Sequence, residues 1–482
     1  VRVSQIFHLN RIQSSLDFVD VDPSTDISVF LDPRAIKLQK NPWANECHAL
    51  LQSFFSEVLD AISLRNIERV RDLFRHLEEP NEVHFGYSRN QSRGRGLGSG
   101  KKADAVANTL SSSIAAATGL LEDLEDTSLF IPGIGADIIS DITINVLRGA
   151  LIGYTQRIAE YHGISMEEQH SGPVWNPNAL EWQEDFTPLP RTNEGKLLLV
   201  PKTVVRHRLI YDKDKYYNGY LAPYLEAREI DAKSELVKVL KNGSPHVSRV
   251  ELKEKYPPDK LAIVDYTLGT PEALAKYRDD AGKNMSSILD HDDLAATVGS
   301  PTVDYLELYE EIEAVSAGRA GATAYHQAVE KLLTALFYPS LGNFQLEKEI
   351  HNGRKRIDIY YDNLATVGFF GWLNTNYRCP TIPIECKNYS EDPHNPELDQ
   401  LAGRLSKDRG WVGILTCRKV TNKELMIERC RDAAKDERGY LIVIDDIDLQ
   451  ELALEAQNVR NEVLSRRSRY TLLRKIFGRL IS

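Results

Sequence analysis

The sequence predicts a multidomain α/β protein, with a largely helical amino-terminal module carrying short strands and a carboxy-terminal mixed sheet flanked by helices. Three observations predict it. The chain has 482 residues, more than one hydrophobic core ordinarily organises. Pro173, Pro177, Pro188 and Pro190 break regular structure between stretches of different pattern. From Gly321 onward the apolar residues alternate between helical and strand spacing. These observations divide the chain into a mostly helical module for recognition or assembly (1–170), a middle α+β module (171–317), the sheet domain (318–462) and a basic amphipathic tail (463–482).

Taken in order, residues 17–21 and 27–31 are strand-like, and 50–77 and 137–162 carry apolar residues at helical spacing. The Gly/Arg/Ser-rich stretch 88–102 invites comparison with a phosphate loop. However, Arg95 stands where that motif needs its first glycine, and Lys102 where it needs Ser or Thr. A nucleotide site is rejected there; a basic loop touching phosphates and a solvated loop both remain. A strand is expected over 196–205, followed by Arg206, His207, Arg208, Lys213, Lys215, Tyr216, Tyr217 and Tyr220. Cations interleaved with aromatic rings suit a nucleic-acid backbone and its bases. Tyrosines packed beneath a charged loop are the plainer reading and the favoured one.

Composition narrows the function classes. No apolar run approaches the roughly 18 residues that span a bilayer, and residues 1–10 do not have the pattern of a secretory signal. The expected compartment is the cytoplasm. The five cysteines, Cys47, Cys379, Cys386, Cys417 and Cys430, are odd in number and contain no Cys-x-x-Cys pair, against a disulfide framework or a zinc ribbon. The formal charge is −11, unevenly placed: from Gly318 on there are 25 Lys+Arg against 22 Asp+Glu, and before it 34 against 48. The carboxy-terminal part therefore approaches a polyanion more readily than the rest. Past Glu462 there is no acidic residue, while Arg466, Arg467, Arg469, Arg474, Lys475 and Arg479 follow. Leucines, isoleucines and Phe477 lie opposite these cations, a pattern common to a DNA clamp, a segment docked on another subunit and a helix on a membrane surface; docking with phosphate contact is the favoured reading.

In the sheet domain the expected order is a helix through Ala328, Leu332, Leu333 and Leu336, strands 344–350 and 355–361, a long loop, strand 381–387, helix 396–407, strand 411–417, helix 423–435 and strand 440–444. Side chains alternate along a strand, so Ile357 and Ile359 face one side and Asp358 the other. Likewise Ile384 and Cys386 enter the core while Glu385 and Lys387 share the opposite face. Ionisable groups on such a sheet are costly unless they neutralise one another or hold a metal.

An aspartate on one strand, Glu-x-Lys on the next and an acidic helix before both resemble the PD-(D/E)xK nuclease superfamily, which has the restriction-endonuclease-like fold. Glu194-Gly195-Lys196 and Glu251-Leu252-Lys253 repeat the tripeptide without that context. The resemblance covers the last third of the chain and implies that Asp358, Glu385 and Lys387 are catalytic, with magnesium or manganese held by Asp358 and Glu385. Glu330 resembles the acidic residue of the first helix and is expected to contact metal. Gln400 resembles the glutamine that Mrr-like and resolvase-like members carry at the start of the following helix. Lys355, Arg356 and Arg404 are the expected contacts to nucleic acid. Ile357 replaces the proline of the motif name, and the 27-residue separation of Asp358 from Glu385 requires an inserted loop over 363–378. Phe369, Phe370, Trp372 and Tyr377 are a large apolar load for that loop, which either faces substrate or packs on a neighbouring domain.

The implied function is a magnesium-dependent endonuclease acting on DNA, in restriction or anti-phage defence, with its first modules recognising a target, a partner protein or another copy of the chain. The alternatives are a catalytically silent protein that binds nucleic acid or a partner through the same fold, and an RNA nuclease.

Overall fold

The computed structural model describes residues 1–86, 101–283, 288–350, 355–465 and 469–482, with the side chains of 101–103, 345–350 and 355–358 excluded. Most of the stretch 88–102, together with Arg466 and Arg467, lies outside the described residues. The protein is mixed α/β, and its longest ladders form a five-stranded sheet in the carboxy-terminal part. Two compact units are present. The first comprises Val1–Ile6, Val21–Val200 and Val204–Ile288; the second comprises Phe7–Asp20, Pro201–Thr203 and Leu289–Ser482. No helix among the described residues is long and apolar enough to cross a membrane.

The first unit is largely helical. The expected helix over 50–77 is two helices, Pro42–Ser63 and Ile67–Arg75. Arg65 takes a left-handed φ of 55° between them, and the Asn66 side chain caps the second by accepting from the Arg69 amide at 3.1 Å. Similarly, 137–162 divides at Leu147 into Ala136–Val146 and Arg148–His162. A short hairpin sets Trp175 opposite Trp182. Both rings pack on Phe54, and their indole N–H groups donate to the Ser53 hydroxyl and the Leu73 carbonyl. Each indole thus buries its apolar body and keeps its polar edge satisfied.

Two strand expectations fail for identifiable reasons. Pro201 interrupts 196–205, where only Gly195–Lys196 and Val205–Arg206 are strand, with a 3-10 turn at Lys202–Val204. Residues 17–21 form no ladder because the Gln13 amide takes its place, donating to the Phe18 carbonyl and accepting from the Asp20 amide, each at 2.8 Å. The interleaved segment after Val205 is split: Arg206, Tyr216 and Tyr217 are buried, whereas His207, Arg208 and Lys215 are exposed. The Tyr216 hydroxyl meets that of Thr267 at 2.9 Å and the Tyr217 hydroxyl donates to the Tyr256 carbonyl. These tyrosines pack and are not presented to bases.

The second unit holds the sheet. Its elements are α1 (His291–Val298), α2 (Tyr305–Glu313), α3 (Ala322–Phe337), β1 (Leu341–Ile350), β2 (Lys355–Asn363), α4 (Gly368–Tyr377), β3 (Thr381–Lys387), α5 (Asn395–Ala402), β4 (Val412–Cys417), α6 (Lys423–Lys435), β5 (Tyr440–Asp445), α7 (Asp446–Arg460) and α8 (Thr471–Ile481). The strands lie in sequence order; β1, β2 and β3 pair antiparallel, and β3, β4 and β5 parallel. The crossovers α5 and α6 join the parallel strands, as parallel pairing requires.

The stretch read as a loop over 363–378 contains α4. Its Phe369, Phe370 and Leu373 are buried, and its rings meet the tail helix α8: Phe477 lies 6.3 Å from Phe369, 5.6 Å from Trp372 and 4.9 Å from Tyr377. The apolar stripe of the tail therefore docks within this unit. Arg469, just before α8, donates to the Leu336 carbonyl at 2.5 Å and the Tyr338 carbonyl at 3.0 Å, so this arginine serves the fold.

Candidate active site

The Glu-x-Lys pair sits at the carboxy-terminal end of β3, where the parallel strands β3, β4 and β5 also end and where ligands of open α/β sheets commonly bind. All of Thr381–Lys387 except Lys387 is buried, and Glu385 is 0% exposed. A carboxylate at that depth needs compensation by charge and hydrogen bonds. The Arg404 Nε donates to Glu385 Oε1 at 2.9 Å and the Gln400 Nε2 donates to Oε2 at 2.9 Å. The Lys387 Nζ lies 3.8 Å from Glu385 Oε2 and donates to Gln400 Oε1 at 3.0 Å. Glu385 and Lys387 thus share one side of the strand, as their spacing predicts, and Gln400 joins them.

The local sequence explains how α5 reaches this site. The His394 amide donates to the Glu397 carboxylate at 2.9 Å, and Pro396 occupies the first turn, so the helix starts early. It ends at Ala402, short of the expected 407, which makes Gln400 a residue of its second turn rather than its start. Close approach to the sheet depends on Gly413 of β4, where a Cβ would fall 2.8 Å from Leu401 Cδ1. Arg404 follows the helix and is only 7% exposed. Its expected role at nucleic acid does not suit this burial, because its guanidinium neutralises Glu385.

Glu330 lies on α3, also fully buried. Its Oε1 accepts from Arg11 Nη1 at 3.2 Å and from the Thr334 hydroxyl at 2.9 Å, and its Oε2 from Arg11 Nη2. This two-pronged pairing engages both oxygens of the carboxylate expected to contact metal. One turn before it, His326 Nε2 lies 3.0 Å from the Cys386 carbonyl, so α3 runs beside the Glu-x-Lys strand. Asp358, Lys355 and Arg356 are on β2; their side chains lie outside the described residues. Among the described residues no group of three or more His, Cys, Asp or Glu is arranged to hold a metal.

Arg11→Ala removes the partner of a carboxylate that cannot reach water. Loss of about 3–5 kcal/mol of stability is expected, the range for a broken buried pair. Urea unfolding measures it; an unchanged midpoint would show that Glu330 does not depend on Arg11.

Lys202 gives the unit a pH signature. It is 1% exposed, donates to the Ser14 carbonyl at 3.2 Å and lies 4.2 Å from the Tyr338 ring centroid. Burial pushes its ammonium down to about 7, against the attraction of Asp17 and Glu330. Between that value and the unfolded value of about 10.4, the unfolded chain holds a proton that the folded chain lacks. This contribution to stability therefore rises with pH through that window. Comparing wild type with Lys202→Met in urea, the wild type is expected to gain on the variant from about pH 7 to about pH 9. A constant difference would place the lysine in contact with water.

Sequence reasoning missed a second charged set. Asp445 caps α7 by accepting from the Asp448 amide at 3.0 Å, and Lys423 bridges Asp445 and Asp448 at 3.2 and 2.6 Å. Asp446 accepts from the Tyr325 hydroxyl and from Arg418 Nη1, each at 3.0 Å, and burial pushes it up to about 6. The run Asp445-Asp446-x-Asp448 after an apolar strand was the available signal, and its observed work is capping.

A family model described as a domain of unknown function (DUF8370) matches residues 8–212. Neither the curated proteins nor the solved structures contain a match. The family match stops before α1, so the five-stranded sheet and the Glu385 cluster are outside it.

Proposed function

We propose that the second unit is a metal-dependent nuclease of the PD-(D/E)xK type that hydrolyses phosphodiester bonds of DNA and acts in restriction or anti-phage defence. The observation that carries the reading is the convergence on one buried carboxylate, Glu385, of Lys387 from its own strand and Gln400 from the following helix. A merely structural ion pair needs Arg404 alone; it gives no reason for an ammonium and an amide to be linked at the same oxygen. The antiparallel register supports the third member. Ile359 of β2 pairs with Ile384 of β3, and one step further along each strand come Asp358 and Glu385.

Oxygen donors suit magnesium or manganese, and a carboxylate oxygen accepts more than one partner. Glu385 and Asp358 are the residues that would hold the ion. When bound, it supplies charge neutralisation and an acidified water. Lys387, beside the carboxylate, orients the attacking water; Gln400 fixes the lysine by accepting from its Nζ. The first unit is then the recognition or assembly part.

One observation favours a second reading, a catalytically silent protein that binds nucleic acid or a partner. Arg404 already neutralises Glu385 at 2.9 Å, as a purely structural site would require. Incubating the full chain with labelled duplex DNA, single-stranded DNA and RNA, with magnesium or with chelator, separates the readings. Cleavage of duplex DNA that needs magnesium is expected, and manganese should replace it. Calcium should raise the unfolding temperature through binding while supporting little cutting, since its looser coordination places water less accurately. Cleavage in chelator excludes the mechanism, cleavage of RNA alone selects an RNA nuclease, and binding without cutting selects the silent protein.

A further inference from the structure

Between α6, β5 and α8 lies a cavity of about 240 Å³. It opens to solvent on one side, and a concave pocket with apolar walls and a few polar groups is the usual form of a small-ligand site. Its walls are of two kinds. Met426, Cys430, Leu441 and Leu472 are buried and apolar, whereas the cations lining it, Lys423, Lys475 and Arg479, are exposed. Lys475 and Arg479 are four residues apart on α8 and so share a helix face.

Three cations, Lys423, Lys475 and Arg479, stand among three carboxylates, Asp445, Asp448 and Glu424, but the pairing is uneven. Lys423 is engaged by Asp445 and Asp448, and Arg479 by Glu424. Among the described residues Lys475 has no ion pair or hydrogen bond. Asp448 is the one acidic residue in the lining, and Lys423 already holds it. An apolar chamber with an unpaired cation beside it has the polarity of a site for a molecule that is oily at one end and negative at the other.

We propose that this cavity binds a small amphipathic anion, with an apolar body in the chamber and a single carboxylate or phosphate group on Lys475, with Arg479 beside it. A cavity of 150 Å³ accommodates benzene, so this one has room for roughly ten non-hydrogen atoms, the size of a medium-chain fatty acid. Anions without an apolar body would gain little here, because the neighbouring cations are already engaged. The site is separate from the Glu385 cluster and does not depend on the nuclease reading.

Calorimetric titration of the full chain with octanoate, octyl phosphate, octanol and octylamine tests the assignment. Saturable one-to-one binding of octanoate or octyl phosphate is expected, at least about tenfold tighter than octanol or octylamine, the weight of one charge-assisted contact. The better of the two anions identifies the head group. Lys475→Glu, at an exposed position, should reverse the order of octanoate and octylamine. Cys430→Leu adds bulk to the apolar wall and should weaken octanoate more than hexanoate, with the thermal unfolding of the variant as the control for folding. Equal binding of all four compounds, or an unchanged order in Lys475→Glu, would overturn the proposal, as would the lack of saturable binding at millimolar octanoate.

Discussion

Glu385→Gln is expected to lower magnesium-dependent cleavage by at least about 100-fold, the usual cost of removing a preorganised charged group from a reacting centre. It should do so with a smaller loss of stability than Glu385→Ala, although Arg404 loses its counter-charge in both. A glutamine keeps an oxygen to accept from Arg404, but its amide meets the donating Gln400 Nε2 and its charge is gone. Glu385→Ala is a different experiment. It leaves Arg404, 7% exposed, without its carboxylate, and the expected destabilisation is about 3–5 kcal/mol. Measuring cleavage rate and urea midpoint for both variants therefore separates the chemical role of this carboxylate from its structural one. Near-normal cutting by Glu385→Gln would end the nuclease assignment. Asp358→Ala and Lys387→Ala should match the rate loss.

Phe477→Ala is expected to cost about 3–5 kcal/mol, the range for removing a large ring from a core. Phe477 is 1% exposed and stands among Phe369, Trp372, Tyr377 and Tyr440, at 5.5 Å from the last. Removing residues 465–482 strips the same cover and adds the loss of Leu472, Leu473 and Leu480, so that variant should aggregate rather than simply bind nucleic acid less well. Urea midpoint and size-exclusion profile are the measurements. A soluble truncated protein with an unchanged midpoint would show that the tail does not belong to this core.

The strands of the second unit were legible because each has a local signature: a short apolar run with turn residues at its ends. Glu385 and Lys387 were legible because strand alternation is a rule about neighbours. The partner of Glu385 was not. Arg404 lies beyond the end of α5, where no periodicity applies, and only the tight seat of Leu401 against Gly413 decides what it faces. The aromatic content of 363–378 marked it as packed against something, but helix α4 and its partner α8 are about a hundred residues apart, beyond the reach of local pattern. The split of 50–77 turned on Arg65 in a left-handed conformation, which its residue type does not announce. Glu330 carried the signal of an acidic helix residue, yet its nearest charge comes from Arg11 at a sequence separation of 319.

That separation has a temporal meaning. Chains emerge from the ribosome at about 5–20 residues per second, so Arg11 is made roughly a quarter of a minute to a minute before Glu330. During that interval Phe7–Asp20, which belongs to the second unit, has none of the sheet it will join, while the chain up to Ile288 has already been synthesised. A nascent chain of this design leaves Leu16, Phe18 and Val19 without their unit until the residues from Leu289 onward have been made. The second unit cannot be completed before Phe7–Asp20, made ahead of nearly all of the first unit, is returned to it.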